Sequence, residues 1–145
     1  MVAYSFKAFF EPQISTGFKQ HTVRAERRRH ARPGETVQLY VGMRTRHCRK
    51  ILKPDPICTA VPPIVIELSS RRDDFIQSIE IDGCKLNADD IEQFARADGF
   101  APEHINVLAL DLDGKTARKN MGEFWHHNHD GDRFTGMLIK WKPVS

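Results

Sequence analysis

No stretch of this chain approaches the roughly 20 consecutive apolar residues that a membrane-spanning helix needs, and its opening residues lack the basic-then-apolar pattern of an export signal. Both absences argue against a membrane partner, and a cytoplasmic protein is expected. Cysteine is scarce: Cys48, Cys58 and Cys84 lie far apart, form no CxxC pair and are odd in number. That argues against a disulfide scaffold and the usual zinc spacings, leaving three reduced thiols. His126, His127 and His129 crowd against Asp130 and Asp132 but lack the i, i+4 His pair of a helical zinc site, and the dipole of a helix C-terminus accounts for them. Asp111-Leu112-Asp113-Gly114 looks like half a calcium loop, yet position 122, where the Glu ligand belongs, is Gly. Neither a metal nor a cofactor is expected.

Acidic residues are sparse at one end only. Residues 1–53 hold 12 Lys/Arg against three Asp/Glu, whereas residues 54–145 hold 10 against 16. The basic part is where a polyanion would dock. Arg24, Arg27, Arg28, Arg29 and Arg32 place five guanidiniums in nine residues, and Arg44, Arg46, Arg49, Lys50 and Lys53 form a second tract. Guanidinium matches phosphate bidentately, which gives affinity for nucleic acid without sequence choice. The alternatives are a solvated charged loop, or pairing with the acidic part of the same chain.

With 145 residues, 40% apolar and 28% charged, the composition is that of one globular domain over 1–145, without repeats. Residues 4–10 read as a first strand. Residues 11–16 read as a short helical turn, with Pro12 near its start and Gly17 at its end. A second strand is expected over 19–24. After Pro33-Gly34, Val37, Leu39 and Val41 alternate with Gln38 and Tyr40, the clearest half-buried strand, and 46–52 is expected to pair with it. Strands follow at 64–68 and 74–81, the latter ending at Asp82-Gly83. Asn87 caps a helix with Ile91, Phe94 and Ala95 on one face, stopping at Gly99. Residues 105–112 are ambiguous between strand and loop. Ala117, Met121, Phe124 and Trp125 mark another helix, and Met137, Ile139 and Trp141 alternate in a last strand. Trp125 and Trp141 continue apolar periodicities and read as core.

The densest chemistry is Gly17-Phe18-Lys19-Gln20-His21-Thr22-Val23-Arg24, which sets an ammonium, a hydroxyl and a guanidinium within eight residues. It reads as an anion or nucleotide site, or else as a polar hairpin edge. In an extended segment Thr22 and Arg24 share a face, and Lys19 joins them only if it sits at the strand's entry, where Gly17 permits a sharp bend. Tyr40, opposite the core face of its strand and near Arg44 and Arg46, offers a ring on which a base would stack while the guanidiniums hold phosphate.

Gly17-x-Lys19-x-x-Thr22-x-Arg24, the Pro33-Gly34-Glu35 turn into Val37-x-Leu39-Tyr40, the Ala97-Asp98-Gly99-Phe100 segment and the closing strand together resemble the ASCH domain. The likeness covers most of the chain. It implies an α+β fold: a mostly antiparallel β-barrel related to the RNA-binding PUA domain, with flanking helices and a nucleotide or RNA cleft between barrel and helices. Some small ASCH proteins hydrolyse N4-acetylcytidine with a Lys, a Thr and a Glu, and a ribonuclease activity on single-stranded RNA also belongs to the family. By motif match Lys19 and Thr22 take the first two catalytic positions. Asp98 is the candidate third, ahead of Glu92 and Asp90, although it is one methylene shorter than Glu. The leading expectation is an RNA- or nucleotide-binding protein, monomeric, using Arg24, Arg27, Arg28, Arg29, Tyr40, Arg44 and Arg46. The alternatives are a small hydrolase acting on a modified nucleoside or on single-stranded RNA, and a protein-interaction module using the basic face.

Overall fold

Two alternating segments, Val2–Phe6 (β1) and Val37–Val41 (β3), send Val2, Tyr4 and Phe6, and Val37, Leu39 and Val41, to the same side, because successive side chains in a strand point to opposite faces. They pair in parallel, Val2 opposite Val37 and Phe6 opposite Val41, and the short β4 (Arg49–Lys50) completes a three-stranded sheet in the order β1-β3-β4. The structure is a computed structural model and describes residues 2–105, 112 and 114–144.

Among the described residues the second sheet has six strands. Its centre is the ten-residue β9 (Arg133–Lys142), which pairs along one edge with β2 (His21–Ala25) and along the other with β6 (Pro63–Leu68) and then β5 (Ile57–Ala60). Next to β6 come β7 (Ile76–Ile81) and β8 (Cys84–Lys85), all antiparallel. Asp82 and Gly83, both at positive φ, turn the chain between those last two strands, the backbone of a two-residue hairpin loop. One core cluster joins both sheets and the helices, with Tyr4, Ile14, Leu39, Phe100, Met121 and Trp141 among its deeply buried members.

Among the described residues three α-helices flank the sheets: α1 (Glu11–Ser15), α2 (Ala88–Ala95) and α3 (Ala117–Asn128). The Asn87 side chain accepts from the Asp90 N–H at 2.8 Å, the expected cap of α2. Beyond it the chain makes a wide π-helical turn, Arg96–Phe100, broken at Gly99 by φ 109°. A Cβ on Gly99 would lie 2.8 Å from the Phe10 ring, so both the dihedral and the close approach require glycine there. The Glu92 carboxylate accepts from the Ala117 and Arg118 N–H groups and so caps α3, which is why it is no candidate acid.

The architecture is mixed α+β with mostly antiparallel sheets, but the expected barrel is not found as a closed ring among the described residues. β4 pairs with β3 only at Tyr40 and Val41, and near the start of β3 the two sheets meet through the isolated Thr36–Ile57 bridge and single bonds such as Val37 N–H to the Pro56 carbonyl and Cys58 N–H to the Glu35 carbonyl, not through a continuous ladder. Several boundaries also move. The first strand ends at Phe6 because a 3-10 turn over Ala8–Phe10 swings Phe10 into the core. Residues 42–48 form successive turns, which shortens the expected strand 46–52 to Arg49–Lys50. The two aspartates of the calcium-like motif and most of 105–112 lie outside the described residues. No helix among the described residues is long and apolar enough to cross a membrane.

Candidate functional site

Lys19 sits just before β2, not in it. Gly17, at φ 83°, bends the chain after α1, and the Lys19 N–H donates to the Gln13 carbonyl at 2.9 Å rather than to a ladder. This entry bend frees Lys19 from strict alternation and turns it inward, where it is 3% exposed. Its ammonium donates to the Asp98 carbonyl oxygen at 2.7 Å and to Asp98 Oδ1 at 2.9 Å. The shorter carboxylate therefore reaches Lys19, because the 96–100 turn presents its backbone and side-chain oxygens together. Gln13 ties the arrangement from behind: its Nε2 donates to the Gly99 carbonyl at 3.0 Å.

His21 completes the cluster. Its ring stacks on Phe94 of α2 at 4.9 Å and 10°, and its Nε2 lies 3.1 Å from Asp98 Oδ1 without an N–H aimed along that line. Burial pushes the Asp98 carboxyl up, but Lys19 and His21 outweigh it and hold the group below the usual carboxylate range. Burial likewise lowers the Lys19 ammonium, and Asp98 offsets only part of that. Burial also lowers the His21 imidazole, so it is neutral at pH 7. The result is a desolvated ion pair in contact with a neutral imidazole, costly to bury and of the kind that clusters at functional sites.

Lys19 and Asp98 face a cavity of about 240 Å³, whose polar lining also includes Lys7, Thr22 and Arg24. Its apolar wall is Phe6, Phe10, Phe100, Phe124 and Trp125. Arg24 reaches it from β2: Nε donates to Thr22 Oγ1 at 3.1 Å, Nη2 to the Ser5 carbonyl at 2.6 Å, and the guanidinium packs over the Phe6 ring. Lys7 Nζ lies 5.1 Å from the Phe124 ring centroid. Aromatic faces, three cations and one acid thus converge on one small cleft, a combination suited to a planar ligand bearing negative charge.

Lys19, Thr22, Arg24 and Asp98 come together there. The other expected residues do not line it. Arg27 stacks on the Tyr4 ring at 4.5 Å, a ring that Arg24 also covers at 5.5 Å, so it adjoins Arg24. Arg28 is exposed, and Arg29 pairs with Glu35 at 2.5 Å. Tyr40 is half-buried on β3, and Arg44 and Arg46 stand in the turns after it. Arg49 pairs with Glu11 and Lys50 with Asp55, so the basic tracts are neutralised only in part, by carboxylates close to them in the sequence or within the same N-terminal part of the chain. Lys7, Phe6 and Phe10 were not singled out in the sequence, and His21 was only part of the Gly17–Arg24 stretch, since the fold is what brings them near Asp98. Trp125, read as core, is half-buried and lines the cleft; Trp141 is core. Among the described residues no cluster of His, Cys, Asp or Glu has the arrangement of a metal site.

Comparison with protein-family models, with curated proteins and with solved structures finds no match to this chain.

Proposed function

We propose that this chain is an ASCH-type, PUA-related domain whose cleft takes one nucleoside or nucleotide unit, free or within single-stranded RNA. The observation that carries this reading is the convergence of Lys19, Arg24 and Asp98 with five aromatic side chains on one cavity. A base gains roughly 1–3 kcal/mol by stacking on such rings, and a phosphate gains charge-assisted bonds from Arg24 and Lys7. The cavity is smaller than the roughly 300–1,000 Å³ of most small-molecule sites, which favours a single unit over a dinucleotide. Trp125 supplies the test. Titration with adenosine 5′-monophosphate quenches tryptophan fluorescence saturably, and Arg24→Ala weakens the midpoint at least tenfold; an unaltered spectrum at millimolar nucleotide defeats the reading.

A hydrolytic reading has its own support in the buried Lys19, whose ammonium is disfavoured by desolvation within the same cleft as Thr22. On N4-acetylcytidine, water adds across the acetyl carbonyl, the C–N bond breaks, the departing amine takes a proton and acetate leaves. Lys19 and Thr22 would manage those protons, with Asp98 holding Lys19 in place. Thr22 Oγ1 accepts from Arg24 and keeps its O–H free to donate toward a substrate. Chromatography of released cytidine decides the matter: turnover abolished by Lys19→Ala, and by Thr22→Ala with binding retained, supports hydrolysis, and no turnover by the wild type excludes it.

A further inference from the structure

Cations alone choose poorly among nucleosides, because contacts to phosphate carry no information about the base. Discrimination needs an acceptor among the donors. Asp98 is the one carboxylate lining the cleft among the described residues. Its two oxygens are not equivalent. Oδ1 faces both Lys19 Nζ, at 2.9 Å, and His21 Nε2, at 3.1 Å, whereas Oδ2 has no hydrogen-bond partner among the described residues.

The His21 ring cannot swing away, since it is buried and lies flat against Phe94. The charged groups around it are Lys19, Lys140 and Asp98. With its hydrogen on Nε2 the neutral ring turns a positive edge to Oδ1 at 3.1 Å, a contact without the alignment of a hydrogen bond, whereas a lone pair there would face the carboxylate unfavourably. The Lys19 hydrogen bond and the His21 contact on one side of the carboxylate resist its rotation.

We propose that His21 is a positioning residue of this cleft: with Lys19 it occupies Asp98 Oδ1, leaves Oδ2 as the acceptor, and so selects ligands that present an N–H donor, such as a base with an exocyclic amine. The inference rests on the nucleoside-binding reading of the cleft and goes beyond it in naming the feature recognised. A site built around a buried acceptor rejects an analogue lacking the donor, because the acceptor is then left unpaired.

Adenosine and purine riboside differ only by the exocyclic amine, and calorimetry on the whole chain measures both. The wild type binds adenosine about tenfold more tightly, as one hydrogen bond to a charged group implies. In His21→Leu the ratio falls to about one. In His21→Gln, whose side-chain amide restores an N–H within reach of Asp98, most of the preference returns. A merely structural role for His21 would weaken both ligands alike and leave the ratio untouched. Equal wild-type affinities, or an unchanged ratio in His21→Leu, overturn the inference and spare the cleft reading; binding of neither nucleoside overturns both. Should His21→Leu fail to fold, Phe94→Ala removes the surface against which the ring is held, and the same fall in ratio is expected.

Discussion

At the scale of single residues, the ion pair of Lys19 and Asp98 is the commitment on which the rest of the cleft depends. Removing one partner leaves the other charge buried and uncompensated, so Asp98→Ala loses about 3–5 kcal/mol of stability in urea unfolding. The pH dependence follows from the directions of the shifts. Below about pH 6.5 the unfolded chain protonates His21 before the fold does, so stability declines as pH drops from there. His30, likewise lowered by burial, adds to this first stage. The Asp98 pair keeps its full contribution above about pH 4, the unfolded carboxyl value, and loses it as pH falls through the lower folded value. His21→Gln shrinks the first stage and leaves the second, which unfolding midpoints between pH 7 and pH 3 would reveal. Lys19, Thr22 and Arg24 were legible as a group because their spacing is local. The pairing of Asp98 with Lys19 was less so, since it spans 79 residues and depends on a turn whose backbone oxygen does half the binding.

At the scale of elements, α1 and the 96–100 turn hold the two halves of the cleft in register. Gln13 is their link: its carbonyl accepts from Lys19 N–H and its side chain donates to the Gly99 carbonyl. Asn120 of α3 does similar work on the far side, donating to the Phe100 and Gly114 carbonyls and accepting from Gly114 N–H. Gln13→Ala is expected to cost about 1–3 kcal/mol, the penalty of an unpaired buried carbonyl. It also weakens nucleotide binding more than Asn120→Ala does, because it alone loosens the Asp98 side; unfolding and titration of both variants check this. Alternation disclosed β3 and β9, an apolar run between breakers disclosed β6, and capping disclosed α2. The short strands β5 and β8 stayed hidden, because two to four residues carry too little periodicity and exist only where β9 and β7 offer an edge.

At the scale of the whole molecule, charge is divided along the chain and the division persists in the fold. Arg27, Arg28, Arg32, Arg44 and Arg46 have no carboxylate partner among the described residues, while Arg27 stands beside Arg24 at the cleft. A single-stranded RNA held in the cleft would lay its neighbouring phosphates on that surface. Its affinity should fall linearly on a log-log plot against salt, and Arg27→Ala combined with Arg28→Ala should lower the slope by about 1.4, or about 0.7 for each phosphate no longer neutralised. Fluorescence anisotropy across salt concentrations measures the slope, and a slope unchanged in the double variant would remove this surface from the account. Whether a sheet closes into a barrel was beyond the reach of the sequence, because closure depends on which strand edges meet in space.

The central claim is that Lys19, Arg24 and Asp98 build a binding cleft and not merely a buried knot of charge. Titration of ¹⁵N-labelled protein with adenosine 5′-monophosphate, followed through its amide and indole signals, tests it most directly. Saturable shifts at Lys19, Thr22, Arg24, Asp98, Phe100 and the Trp125 indole, with Trp141 unmoved, are the predicted result. Shifts confined to Arg27, Arg28 and Arg29, or none at millimolar nucleotide, would contradict it.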